Sequence, residues 1–152
     1  MEKTMCVAKA LYDMYYDMEG VCMDEMKMHK LMYFSQREAL MYRKEPLFDA
    51  KFYGWKYGPV LNEVRSEYKN ENYFGSVKGT VTEETKELLK SVLERYGSLS
   101  SWKLSCLSHQ EFSWKKARKG LAASDNGNVE MMLESMKVDA TRELVARKAA
   151  TV

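Results

Sequence analysis

Apolar positions recur at helical spacing along most of this chain, with one short stretch where the period changes to two. Val7, Leu11, Met14 and Met18 fall on one face of a first helix, and Gly20 ends it. Asp24 supplies an N-cap for a second helix of about twenty residues, with Met28, Leu31, Met32, Ser35, Ala39 and Tyr42 along one side. Glu45-Pro46 closes it, because the residue before a proline disfavours helix. In the next stretch the aromatics Tyr53, Trp55 and Tyr57 alternate, which places them on one face of an extended segment over residues 51–57. Gly58-Pro59 stops that segment. Proline suits the first position of a helix, so Pro59 followed by Val60, Leu61, Val64 and Tyr68 predicts a strand handing over sharply to a helix.

Residues 69–79 are polar and contain Asn70, Asn72, Gly75 and Gly79, a loop with room for a second short strand at Tyr73-Phe74. Thr82 caps an amphipathic helix that turns Leu88, Leu89, Val92, Leu93 and Tyr96 inward, and Glu83 and Glu84 suit the positive end of its dipole. After Gly97-Ser98 comes a helix with Leu99, Trp102, Cys106 and Leu107 as its stripe, then a short helix near Trp114. Ser124 to Asn128 reads as a flexible connection. A last helix begins near Val129 and carries Met132, Leu133, Met136, Ala140 and Leu144. The pattern predicts a mainly α, compact single-domain helical bundle of six or seven helices, with a short extended insert around residues 51–57. The last helix is expected to pack back on the core, since exposed apolar stripes invite aggregation. The competing arrangement offers that stripe to a partner.

Composition narrows the class. The chain has 152 residues, 45% hydrophobic and 30% charged, a balance that fits one folded domain and not a disordered one. Apolar runs are only a few residues long and Met1 to Thr4 has no signal-peptide core, so a cytoplasmic protein with no membrane partner is expected. A net charge of +2 is too slight to argue for nucleic acid. Lys115, Lys116, Arg118 and Lys119 make one basic cluster, a solvated turn or a contact for an acidic partner. Cys6, Cys22 and Cys106 form no CxxC pair and read as free thiols. With only His29 and His109, neither a metal site nor another cofactor is expected.

Candidate chemistry is thin. Ser108, His109 and Glu111 supply the residue types of a nucleophilic triad, but adjacent helical residues point in different directions. Helix-end hydrogen bonding suits Ser108 and His109 better. Gly54 and Gly58 lack the further glycines and lysine of a phosphate loop. Asp13 with Asp17, and Glu63 with Glu67, are isolated helical pairs that read as solvated faces. Tyr53, Trp55, Tyr57, Trp102 and Trp114 would suit a base-stacking platform only with more interleaved cations than Lys51 and Lys56, so they read as core. The twelve methionines fall mostly on the inward stripes. The residues describe a binding module and not an enzyme.

Three segments, in order, resemble the Panacea domain, also called the SocA-like antitoxin domain. Met28-His29-Lys30-Leu31-Met32-Tyr33-Phe34 is similar to its Leu-x-Lys-Leu-Leu-Tyr-Tyr opening helix. The stretch from Leu47 to Val60, with Trp55, Gly58 and Pro59, matches its central signature. Leu104-Ser105-Cys106-Leu107-Ser108-His109, followed by Trp114, is similar to its Leu-Ser-x-x-Thr-His…Trp block. Met28 for leucine, Ser108 for threonine and Ser113 for proline are mild departures. The resemblance covers residues 1–135 and leaves 136–152 as a C-terminal helical extension, docked or toxin-contacting.

The resemblance implies a bacterial or phage antitoxin of a type II toxin–antitoxin system. Such a protein neutralises, by direct binding, a protein toxin encoded in the same operon, as a homo- or hetero-oligomer with it. Toxins of the family include translation inhibitors, alarmone-type nucleotide synthetases and membrane-active peptides. The alternatives are a proteolytic adaptor that delivers the toxin to a protease, and a DNA-binding autoregulator. No helix rich in Arg, Asn and Gln favours the latter. Residue types suggest Lys56, Tyr57 and Arg65 on the rim of the signature turn, with Lys115, Lys116 and Arg118, as toxin contacts. Trp55 and Trp114 are expected in the core, and Gly58, Pro59 and His109 complete the structural signature.

Overall fold

The computed structural model describes residues 1–151. It contains seven α-helices among the described residues, gathered around one of their number, and a small antiparallel sheet. Helix α1 (Thr4–Glu19) ends at Gly20, whose left-handed backbone lets its N–H reach Tyr16 O. Helix α2 (Glu25–Tyr42) starts where the sequence places it, with the Asp24 side chain accepting from the Lys27 N–H at 2.8 Å. It stops at Arg43, short of Glu45-Pro46.

The surroundings of α2 differ from expectation. Instead of one apolar side, every residue from Lys27 to Met41 is buried. Helices α1, α3 (Asn62–Lys69), α4 (Glu83–Val92), α5 (Ser101–Ser108) and α7 (Leu133–Ala150) all lie against it. A helix enclosed on all sides buries its polar residues too, and each then needs a partner. Gln36 illustrates this. Its carbonyl accepts from Leu47 N at 2.7 Å and its amide donates to Phe48 O at 2.9 Å, so it pins the chain leaving α2. Tyr42, expected inward, lies past this enclosure and is exposed.

Strands β1 (Phe52–Trp55) and β2 (Gly58–Leu61) form a hairpin, and β3 (Glu130–Met131) adds to the other edge of β1. The helix expected to begin at Pro59 therefore begins at Asn62, because Gly58 to Leu61 pair with β1 in register Trp55↔Gly58 to Phe52↔Leu61. Alternation along β1 is as expected, but the faces are reversed. Phe52 and Gly54 turn inward, while Tyr53 and Trp55 are only half-buried. Gly54 is needed there: a Cβ would sit 3.0 Å from the Ala117 Cβ of α6 (Phe112–Ala117).

No strand forms at Tyr73-Phe74. Both residues take left-handed backbone angles, and the buried Phe74 ring packs on Tyr12 and Tyr68 at 5.5 and 5.7 Å. Thr82 caps α4 as expected, accepting from Thr85 N. A wider π-type turn at Leu93–Gly97 follows, and Ser98 to Ser100 separate it from α5, which Ser100 caps by accepting from Lys103 N. Leu104, Ser105 and Ser108 face inward on α5, and the expected Trp102 and Cys106 do not; Trp102 is 75% exposed. The last helix starts at Leu133, after β3, and not near Val129, which leaves Met132 exposed. It docks on the core: Arg147 grips Glu38 through two hydrogen bonds at 2.7 and 2.9 Å and reaches the Tyr96 hydroxyl. No helix of the described residues is long and apolar enough to cross a membrane.

Candidate functional site

Where the first turns of α2 meet the β1–β2 turn and the start of α3, a cleft of about 350 Å³ opens at the surface. Its walls are Trp55, Pro59, Val60 and Met26, and the cations Lys30, Lys56 and Arg65 line it together with Glu25 and His29. The three rim residues chosen from sequence, Lys56, Tyr57 and Arg65, meet here. Tyr57 stands at the apex of the hairpin, 58% exposed, with the Lys56 ammonium 5.1 Å from its ring centre. The Arg65 guanidinium stacks 5.0 Å over Trp55 and reaches Glu25 at 3.4 Å.

Trp55 is thus not a core residue. One face carries Arg65, and its indole N–H donates to Asn128 Oδ1 at 3.1 Å. The cause is the reversed strand face: Phe52 takes the inward position that the aromatic alternation suggested for Trp55. Trp114 packs against the core from the other side of the hairpin and donates to Trp55 O at 2.8 Å. His109 stacks flat on Trp114 with ring centres 4.1 Å apart.

The basic cluster divides. Lys115 and Lys116 are exposed on α6, and neither lines the cleft. Arg118, expected on an exposed turn, is only 7% exposed. Its guanidinium donates to four carbonyl oxygens, those of Gly54, Asn126, Ala122 and Asp125, at 2.6–3.1 Å. It shapes the loop between α6 and β3, which the sequence suggests is a free connection. An arginine has five N–H donors and carries nothing in the sequence that separates this structural role from a surface one.

His29 is legible in detail. Leu61 N donates to its Nδ1 at 3.2 Å, so Nδ1 is unprotonated, and its Nε2–H donates to Glu25 at 2.9 Å. Burial holds His29 below the usual histidine range, although Glu25 pulls the other way. Its bond to His29 in turn holds Glu25 below the ordinary carboxylate range. The ring therefore fastens β2 to α2 as a neutral group. Burial also lowers His109, helped by the Lys30 cation.

Lys30 has no such fastening. It is 3% exposed, and its ammonium has a single hydrogen bond, to Met26 O at 3.4 Å. Among the described residues no carboxylate lies within ion-pair distance of it. Desolvation brings its pKa down to about 8, opposed only by Asp24. The residues of the apparent triad are not assembled. Glu111 receives Arg37 at 2.7 Å and Tyr33 at 2.6 Å, and Ser108 donates back to Ser105 O. The sequence marks the rim of the cleft, but Lys30 enters it only as the lysine of the opening-helix motif and not as a site residue, since a lysine inside a helical apolar run looks like any solvated one.

The family model described as "Antitoxin SocA-like, Panacea domain" matches residues 28–115, more than half of the chain and a span that holds Lys30, Trp55, Lys56, Tyr57 and Arg65. The chain belongs to this family, and membership supports an antitoxin role. No curated protein and no solved structure matches it.

Proposed function

We propose that this protein is the antitoxin of a type II toxin–antitoxin system and neutralises a toxin encoded in the same operon by binding it directly through the cleft at the hairpin turn. The observation that carries this is the convergence of Lys56, Tyr57 and Arg65 on one opening, with an exposed aromatic at its lip. Tyrosine and arginine beside a cleft are the usual makings of a binding hot spot. Complex formation stabilises the neutralised pair by mass action. The toxin is of the kind the family opposes, a translation inhibitor or an alarmone-type nucleotide synthetase.

The test is growth of bacteria that express the adjacent open reading frame, with and without this chain. Growth arrest by the neighbour alone, relieved by this chain and accompanied by a co-purifying complex, is expected. A harmless neighbour, or arrest that persists with this chain well expressed, contradicts the assignment. Relief that disappears in a protease-deficient host would point instead to an adaptor that delivers the toxin for degradation.

A further inference from the structure

We propose that the cleft is a carboxylate-binding site, in which the Lys30 ammonium receives an aspartate or glutamate side chain of the bound partner while Trp55, Pro59 and Val60 cover its methylenes. The identity of that partner as the toxin rests on the neutralisation proposed for this protein.

The other buried charges on α2 have partners. Lys27 donates to Gly97 O at 2.8 Å and to the Tyr15 hydroxyl, Arg37 meets Glu111 and the Tyr96 hydroxyl, and Glu38 holds Arg147. Lys30 alone keeps most of its three N–H donors unused, and it lines the cleft. A buried cation without a counter-charge is costly, so its persistence points to an anion supplied from outside. The charged groups around it agree. Glu25 is already engaged by His29 and Arg65, His109 sits close by as an imidazole, and Asp24 acts on Lys30 only at longer range. Gly58 protects the arrangement. Its φ of 130° disfavours any side chain, and a Cβ there would lie 2.9 Å from Ser108 Oγ and 3.3 Å from Lys30 Cε.

Shape and donor count select the anion. About 350 Å³ with mostly apolar walls holds an aliphatic stem as well as a charged head. A phosphate prefers several converging donors or a nest of backbone N–H groups. Here the Lys30 ammonium is the one buried cation lining the cleft, Lys56 lies over the Tyr57 ring at the lip, Pro59 has no N–H to give, and Arg65 is partly neutralised by Glu25. A single carboxylate matches that supply. An opposite charge set beside Lys30 would also raise its pKa from about 8 toward the ordinary lysine range.

The full chain with ¹³C,¹⁵N-labelled lysine allows Lys30 Cε and Nζ to be followed by NMR. The titrants are N-acetyl-glutamate methylamide, the matching glutamine compound and inorganic phosphate. Saturable shifts with the glutamate compound, at least tenfold weaker with the glutamine compound, and an upward-moving Lys30 titration midpoint are expected. Lys30→Met, which keeps the apolar stem as far as Cε and removes the ammonium, should abolish binding of the glutamate compound and weaken the toxin complex at least tenfold. Should that variant fail to fold, Arg65→Gln at the exposed rim serves instead, with a severalfold loss of glutamate binding expected. Equal response to glutamate and glutamine, or tighter binding of phosphate, overturns the proposal. If Lys30→Met is folded and neutralises the toxin as well as wild type does, this inference fails and the antitoxin assignment stands. If wild type binds the capped glutamate but no toxin, a free organic acid replaces the partner side chain, and the proposal falls with the neutralisation reading.

Discussion

Arg37 and Lys30 lie about two turns apart on the central helix, both almost wholly out of water, and the fold treats them in opposite ways. Around Arg37 the chain has collected Glu111 at 2.7 Å, the Tyr96 hydroxyl at 2.7 Å and, farther off, Glu143. Tyr33 and Asp139 extend the network, and Asp139 also accepts from the backbone N–H groups of Phe112 and Ser113 at the start of α6. Four segments, α2, α4 with its π-type turn, α6 and α7, are thereby tied at one place. Around Lys30 nothing has been collected except one long bond to a carbonyl. Two buried cations of one helix thus separate into a structural clasp, closed within the chain, and a charge left open at the surface cleft.

The clasp should fail first. Arg37→Met removes the counter-charge from Glu111, which burial already pushes above its ordinary range. A loss of roughly 3–5 kcal/mol in urea unfolding is expected, as for other broken buried pairs. A loss below about 1 kcal/mol would mean that the network contributes little to stability. Next in size are Trp114, against the core, and Trp55, in the cleft wall. Trp114→Ala should cost about 3 kcal/mol, because it empties packed space and orphans Trp55 O, whereas Trp55→Ala should cost about 1 kcal/mol. Equal costs would restore Trp55 to the core.

Acidification gives a smaller effect with a defined sign. His29 has its folded pKa below the unfolded value of 6.5, so the unfolded chain takes up protons that the folded one refuses. Stability is therefore fully present above pH 6.5 and declines as the pH falls below it. His109 acts with the same sign. Urea midpoints at the two pH values should differ in wild type and differ less in His29→Gln; a profile unchanged by that substitution would remove His29 as the source of the pH dependence. Lys30→Met should change stability least, within about 1 kcal/mol, because the lost interaction is weak and a solvation cost is relieved.

The same contrast explains what could be read in the chain. Asp24 and Thr82 announce helix starts through local chemistry that no tertiary context alters, and the period-two aromatics correctly mark an extended segment. The face of that segment could not be read, because Phe52 and Trp55 are both large and apolar, and only the glycine at position 54, pressed by Ala117, betrays the inner side. Pro59 misleads because a proline also fits a hairpin strand where its missing donor is not needed. The two-residue β3 has no period to detect. Arg118 and Lys30 share a reason for being hidden: the role of a charged side chain is set by which partners the fold brings to it, and neither spacing nor residue type announces them. For Arg118 these are Gly54 and the 122–126 carbonyls; for Lys30, the lack of any carboxylate.

The decisive comparison sets the cleft against the remaining exposed cations, in cells expressing the neighbouring toxin. One variant carries Tyr57→Ala with Arg65→Glu; the other carries Lys115→Glu with Lys116→Glu. With both variants shown to be folded, the first should lose protection and the second should keep it. Protection kept by the cleft variant and lost by the α6 variant would place the working surface on α6 and contradict toxin binding at the cleft.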